Sequence, residues 1–231
     1  MNLHQHYDSL WSSTKSKFEL GEFGIDSQLF DENDRRYGVT LLIRPSQSVK
    51  NSISAFLDDI REIEPNLYLY PQSDMHLTVL SIISCYDGYN LDQIDVDAHR
   101  DCIQASLAGI KPFSIHMKGI TAASSAIMIQ GFPKNDELNL IRESLREHYK
   151  NSNLQSRMDV RYAITTSHST VIRFPEKPEN SGRLLQVLEK YRDFDFGSFE
   201  VNVLEFVYND WYQRTELVQE LGLFELNDPS T

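Results

Sequence analysis

Cysteine and basic charge are scarce in this chain, and a long apolar run is missing altogether. Only Cys85 and Cys102 occur, and neither belongs to a C-x-x-C pair. That spacing excludes a cysteine-built metal site and a disulfide framework, and it fits two free thiols in a reducing compartment. Lys and Arg number 22 against 34 Asp and Glu, for a net charge of −12. A general binder of nucleic-acid backbones, long duplexes included, is excluded on that balance, because such surfaces are basic. A small phosphorylated ligand in a locally basic pocket remains compatible with it. No apolar stretch approaches the roughly 20 residues that span a bilayer. The N-terminus lacks a basic region followed by an apolar one, so no signal peptide and no membrane association are expected, and the cytoplasm is the default location. Also absent are a Gly-rich phosphate loop, G-x-G-x-x-G, G-x-S-x-G and H-E-x-x-H.

What is present is ordinary globular material: 231 residues, 40% apolar and 24% charged. That is enough for one large domain or two small lobes, and a monomer is the default. Residues 1–36 are polar and broken by Gly21, Gly24 and the acidic run at 31–34, and are read as an irregular extension packed on the main body. Tyr37–Ile43 is rich in strand formers and stops at Pro45. Ser46 or Ser48 can cap a helix to about Ile63, with Val49, Ile53, Phe56, Leu57 and Ile60 on one face. A short strand (67–70) and a turn (71–74) follow. Beyond a strand to about Ser84, a helix (92–108) and two strands (111–121, 125–130) complete a first half. The pattern then recurs: a helix over 135–150, a short strand at 161–164, a strand to Pro175, a helix over 180–191, one strand across 198–208 and a last one over 214–221. Residues 227–231 form a tail.

The centre of each half is a short motif. Asp74-Met-His-Leu-Thr-Val-Leu-Ser81 has its counterpart in Thr166-Ser-His-Ser-Thr-Val-Ile-Arg173. Side chains alternate across a strand, so His76 shares a face with Thr78, and His168 with Thr170, while Met75, Leu77 and Val79 point into a core. A duplicated unit related by a pseudo-twofold axis would bring the two strands to one interface. Two imidazoles there suit a phosphodiester: one takes a proton from the attacking oxygen and the other gives one to the leaving oxygen. Each such transfer is worth about 10²–10⁴ in rate. The threonine hydroxyls can donate to phosphate oxygens. No metal or cofactor is needed, and two histidines without carboxylates at ligand spacing do not make a zinc site.

The paired motifs, His76-Leu-Thr78-Val and His168-Ser-Thr170-Val, together with their duplication, resemble the 2H phosphoesterase family of 2′-5′ RNA ligases and cyclic phosphodiesterases. The likeness covers roughly Tyr37 to Leu226, leaving the first 36 residues outside. It implies a bilobal α+β fold of duplicated strand–helix–strand lobes, with mostly antiparallel sheets flanking a central cleft. It further implies His76 and His168 as the acid–base pair and Thr78 and Thr170 as phosphate ligands. Arg173 stands where many members carry an arginine, five residues after the second histidine. A regular strand would turn it away from His168, so a bulge or the strand end before Pro175 has to restore it. Tyr208, Trp211 and Tyr212 near the last hairpin, and Tyr37 more weakly, are candidates to stack on a base. His99 is read as a surface residue, His116 and His148 as structural or exposed. The expected activity is opening of 2′,3′-cyclic phosphates or cleavage of 2′-5′ linkages in small nucleotides or RNA ends, with ligation as the reverse. The alternatives are a module that binds a nucleotide or RNA end without turnover, and a metal-dependent hydrolase.

Overall fold

Two antiparallel sheets, each built partly from the other half of the chain, carry the molecule. The computed structural model describes residues 2–160 and 163–227. Its strands are β1 (Arg36–Ile43), β2 (Tyr68–Leu69), β3 (Leu77–Asp87), β4 (Phe113–Ala123), β5 (Ala126–Pro133), β6 (Ser167–Arg173), β7 (Asp195–Val201), β8 (Val203–Asp210) and β9 (Gln219–Glu225). One sheet has the order β3-β1-β8-β9, the other β2-β6-β5-β4-β7. The strand that ends the first half, β5, pairs with β6 of the second, while β8 returns to pair with β1. The halves therefore interlock.

Five helices lie against the sheets: α1 (Leu3–Glu19), α2 (Gln47–Arg61), α3 (Val96–Ser106), α4 (Glu137–Lys150) and α5 (Ser181–Lys190). Helix α2 starts where Ser46 accepts a hydrogen bond from the Val49 amide, a cap worth about 1 kcal/mol. It buries the expected face, Val49, Ile53, Phe56, Leu57 and Ile60, each worth roughly 1.5–3 kcal/mol in apolar transfer. Helices α3 and α4 pack on the first sheet, α1 and α2 on the second, and α5 lies against α1 and α2. The sheet faces that helices do not cover meet in a cleft.

Five expectations need correction. Residues 3–19 are helical, not irregular: Tyr7, Trp11, Thr14 and Phe18 form a buried stripe at helical spacing. The Ser-rich remainder is weakly helix-forming on its own, so the helix is held by that stripe. The single strand expected over 198–208 breaks at Asn202, where the chain passes from one sheet to the other. Its successor begins at Gln219 rather than 214, after a long turn. His99 is 1% exposed, with its Nδ1 2.9 Å from the Tyr149 hydroxyl, because it faces α4 rather than water. Of the short strand expected over 161–164, residues 161 and 162 lie outside the described residues, and 163–164 are irregular.

Candidate active site

His76 is the last residue before β3, and the chain just ahead of it fixes its orientation. The His76 Nδ1 lies 2.8 Å from the Asp74 carbonyl oxygen. A carbonyl only accepts, so Nδ1 carries the hydrogen and Nε2 is the nitrogen left for a ligand. The Asp74 carboxylate is buried and accepts from the Thr215 amide (3.2 Å) and hydroxyl (2.7 Å). The turn after β8 is thereby tied to the approach of the first motif. In the second motif, His168 Nδ1 lies 3.0 Å from the Thr166 hydroxyl, a group able to donate or accept.

Both histidines, both motif threonines, Arg173 and Trp211 line one cleft. Reaching that arrangement takes irregular strands. Along β3, Thr40 pairs with Ser81 while Val39 pairs with Ile83, and Leu41 pairs with Leu80 while Leu42 pairs with Thr78. Ile82 and Val79 are thus extra residues, and each bulge shifts the alternation by one. Thr78, Ser81 and Ser84 consequently share the cleft face, three hydroxyls at a spacing of three. Along β6, Ile127 pairs with Ile172 but Met128 with Thr170. The extra residue is Val171, and it returns Arg173 to the face of His168 and Thr170.

One residue holds both motifs from behind. Arg142 of α4 is 2% exposed. Its Nε donates to the Val79 carbonyl (2.8 Å), and its Nη2 to the carbonyls of Thr78 (3.2 Å) and Thr166 (2.6 Å). β3 is a sheet edge bulged at Val79, and Thr166 lies just ahead of β6; the guanidinium supplies donors to carbonyls of both approaches. Burial pushes Arg142 down to about 10, which leaves it charged at neutral pH. Sequence offered one sign of it: a charge on the stripe of Leu138, Ile141, Leu145 and Tyr149, which otherwise faces the core.

Burial also depresses both imidazoles, from an ordinary 6.5 to about 4. At His76 the Asp74 carbonyl opposes the shift, while Arg44, His168 and Arg173 add to it. At His168 the further contributors are Arg142 and His6. Arg44, Arg142 and Arg173 thus lie near the histidines, and although Asp159 also lines the cleft, paired with Arg146, the arginines favour an anion there.

Arg173 is fixed at two points: its Nε donates to the Tyr70 hydroxyl (3.0 Å) and its Nη1 to the Asp26 carboxylate (2.9 Å). Trp211 reaches the cleft, with the Arg36 guanidinium 4.6 Å from its ring centre. The other aromatic candidates lie elsewhere. Tyr212 is buried beneath Arg173 and bonded to Asp26 and Arg36. Tyr37 and Tyr208 stack on each other at 5.1 Å, outside the cleft lining. Tyr70, Ser81, Ser84, Asn209 and Gln213 join the lining without having been singled out in the sequence. Among the described residues, no group of three or more His, Cys, Asp or Glu is placed to hold a metal ion. No helix among them is long and apolar enough to cross a membrane.

A sequence model of the 2′-5′ RNA ligase superfamily matches residues 49–212. No curated protein matches in a sequence search. Among solved structures, TT0787 of Thermus thermophilus is similar with a TM-score of 0.59 at 14% identity, over 82% of this chain and 97% of that one. E. coli LigT, solved with ATP, gives 0.51 at 11%, over 84% and 99%. ATU0111 of Agrobacterium tumefaciens, a conserved protein of unknown function, gives 0.53 at 15%. That last likeness covers 96% of this chain and 99% of the other, so it reaches into residues 1–36. At these identities the likenesses establish the fold, an α+β arrangement of antiparallel sheets.

Proposed function

The chain belongs to the 2′-5′ RNA ligase superfamily, and from that premise we propose that it is a metal-independent phosphodiesterase. Its substrates are 2′,3′-cyclic phosphates or 2′-5′ linkages of small nucleotides or RNA ends. The observation that carries the reading is the meeting of His76, His168, Thr78, Thr170 and Arg173 in one cleft. One imidazole accepts a proton at Nε2 from the attacking water, and the other, as imidazolium, protonates the departing ribose oxygen. Which does which follows from the side of the phosphorus that the leaving oxygen occupies. Ligation is the same path reversed. Thr78 and Thr170 donate to the non-bridging oxygens, and Arg173 offsets their charge. A phosphate bound there raises both imidazoles from their depressed values, so one gains the proton it must deliver. Trp211 offers a ring to a base.

LigT has been solved with ATP, 3′-AMP and phosphate, and ligands of that chemistry suit the arginines near these histidines. The net charge of −12 favours such small substrates over long RNA. The test is hydrolysis of nucleoside 2′,3′-cyclic phosphates and 2′-5′ dinucleotides in EDTA, comparing wild type with His76→Ala and His168→Ala. Turnover that survives chelation and falls about 10²-fold or more in each variant is expected. Nucleotide binding without turnover of any compound would replace the enzyme with a binding module.

A further inference from the structure

We propose that Asp26, from the N-terminal segment ahead of the superfamily match, is a positioning residue for the phosphate-binding arginine. This inference rests on the cleft's reading as a phosphate site. A strand residue reached only through a bulge, as Arg173 is, has a long side chain that the strand does not aim. Here its aim is set from outside. The Asp26 Oδ2 takes the Arg173 Nη1 at 2.9 Å, with both side chains mostly withdrawn from water, at 12% and 16% exposure. The Tyr70 hydroxyl takes Nε at 3.0 Å. Nη2 has no hydrogen-bond partner among the described residues, so it is the donor left for a ligand oxygen.

Asp26 is itself held. Its amide donates to the Phe174 carbonyl (2.8 Å), joining the segment to the end of β6. Its Oδ1 accepts from the Tyr212 hydroxyl (2.8 Å), which also takes the Arg36 Nη2 at 3.0 Å. Arg36 in turn pairs with Asp34 through two bonds. Tyr212 lies beneath the Arg173 guanidinium, 5.1 Å from its ring centre. A planar guanidinium with one edge bonded, one face on a ring and one nitrogen left over has little freedom to leave the cleft. The same segment supports the other end of β6, where the Tyr7 hydroxyl donates to the Ser167 carbonyl (2.5 Å) and accepts from its amide (3.0 Å). Residues 1–36 are thus part of the working site, not an appendage to it.

The experiment is Asp26→Asn in the full chain, read three ways: steady-state kinetics, affinity for inorganic phosphate by calorimetry, and melting temperature. Loss of one charge-assisted bond to Arg173 is expected to raise KM and the phosphate Kd about tenfold, with kcat changed less. In an Arg173→Ala background Asp26→Asn should add nothing, because its action runs through that arginine. Should Asp26→Asn fold poorly, Tyr212→Phe removes only the hydroxyl that holds Asp26 and should shift KM in the same direction. An unchanged KM and phosphate Kd in a well-folded Asp26→Asn protein would overturn the inference, as would an equal loss in the Arg173→Ala background. Absence of turnover in wild type defeats the enzyme reading alone, since phosphate affinity still reports on Arg173. Absence of phosphate binding in wild type overturns this one.

Discussion

The two motif strands carry the same residues to the same cleft by different means. β3 is a sheet edge with three breaks of register, and what stabilises its free side is Arg142 near Thr78 and the loop after α4, whose Arg157 bonds Ile82 and Ser84. β6 is paired with β5 throughout, has one bulge, and is braced at its two ends by Tyr7 and Asp26 of the N-terminal segment. The histidines differ in the same way. His76 is oriented by a backbone carbonyl, which holds one tautomer; His168 faces a hydroxyl, which accommodates either. A repeat of sequence has thus become a symmetry of placement resting on unequal supports, and the inequality can be tested.

Breaking the support that Arg142 gives both motifs should have the largest effect. Arg142→Met leaves the carbonyls of Thr78, Val79 and Thr166 without their donor, at about 1–3 kcal/mol for each buried group left unmade. Urea unfolding is expected to show a loss of about 3 kcal/mol or more; a loss below about 1 kcal/mol would mean that the strands meet without it.

The depressed imidazoles predict the next effect. Both histidines are neutral in the free protein down to about pH 4, yet one must be protonated to act as an acid. The value of kcat/KM should therefore rise about tenfold per unit as pH falls from 8 towards 5, with kcat shifted to higher pH by the bound phosphate. Stability carries the opposite sign. The unfolded chain takes up protons below 6.5 that the folded histidines refuse until about 4, so the fold loses stability as pH falls across that window. Phosphate should oppose the loss. A kcat/KM that is flat from pH 8 to 5 would contradict the assignment.

Thr166→Val sharpens the contrast between the histidines. It removes the His168 Nδ1 partner, for which the carbonyl at His76 has no side-chain equivalent, and kcat should fall about tenfold with KM little altered. The smallest effect belongs to Tyr208→Phe. Its ring stacks on Tyr37 away from the cleft lining, so KM should stay within about twofold. A larger rise would return Tyr208 to the substrate.

Much of this was legible in the residues. The β1 and α2 boundaries follow from β-branched runs, Pro45 and the Ser46 cap, and the motif spacing predicts which threonine accompanies each histidine. What escaped has physical causes. Helix α1 is held by tertiary packing of four side chains rather than by propensity. The break at Asn202 comes from a change of sheet, which no local pattern records. The bulges at Val79 and Ile82 are invisible to a strict period of two, although hydroxyls at 78, 81 and 84 hint at them; the one at Val171 is one of the two ways the sequence leaves for Arg173 to reach the face of His168. Asp26 meets Arg173 only because the chain returns to it after 147 residues of fold.

The central claim is that both histidines serve one phosphate. NMR titration of the His76 and His168 rings, with and without inorganic phosphate, tests it most directly. Both should titrate near 4 in the free protein and move upward together when phosphate binds. Movement of only one, or of neither at saturating phosphate, would contradict the account.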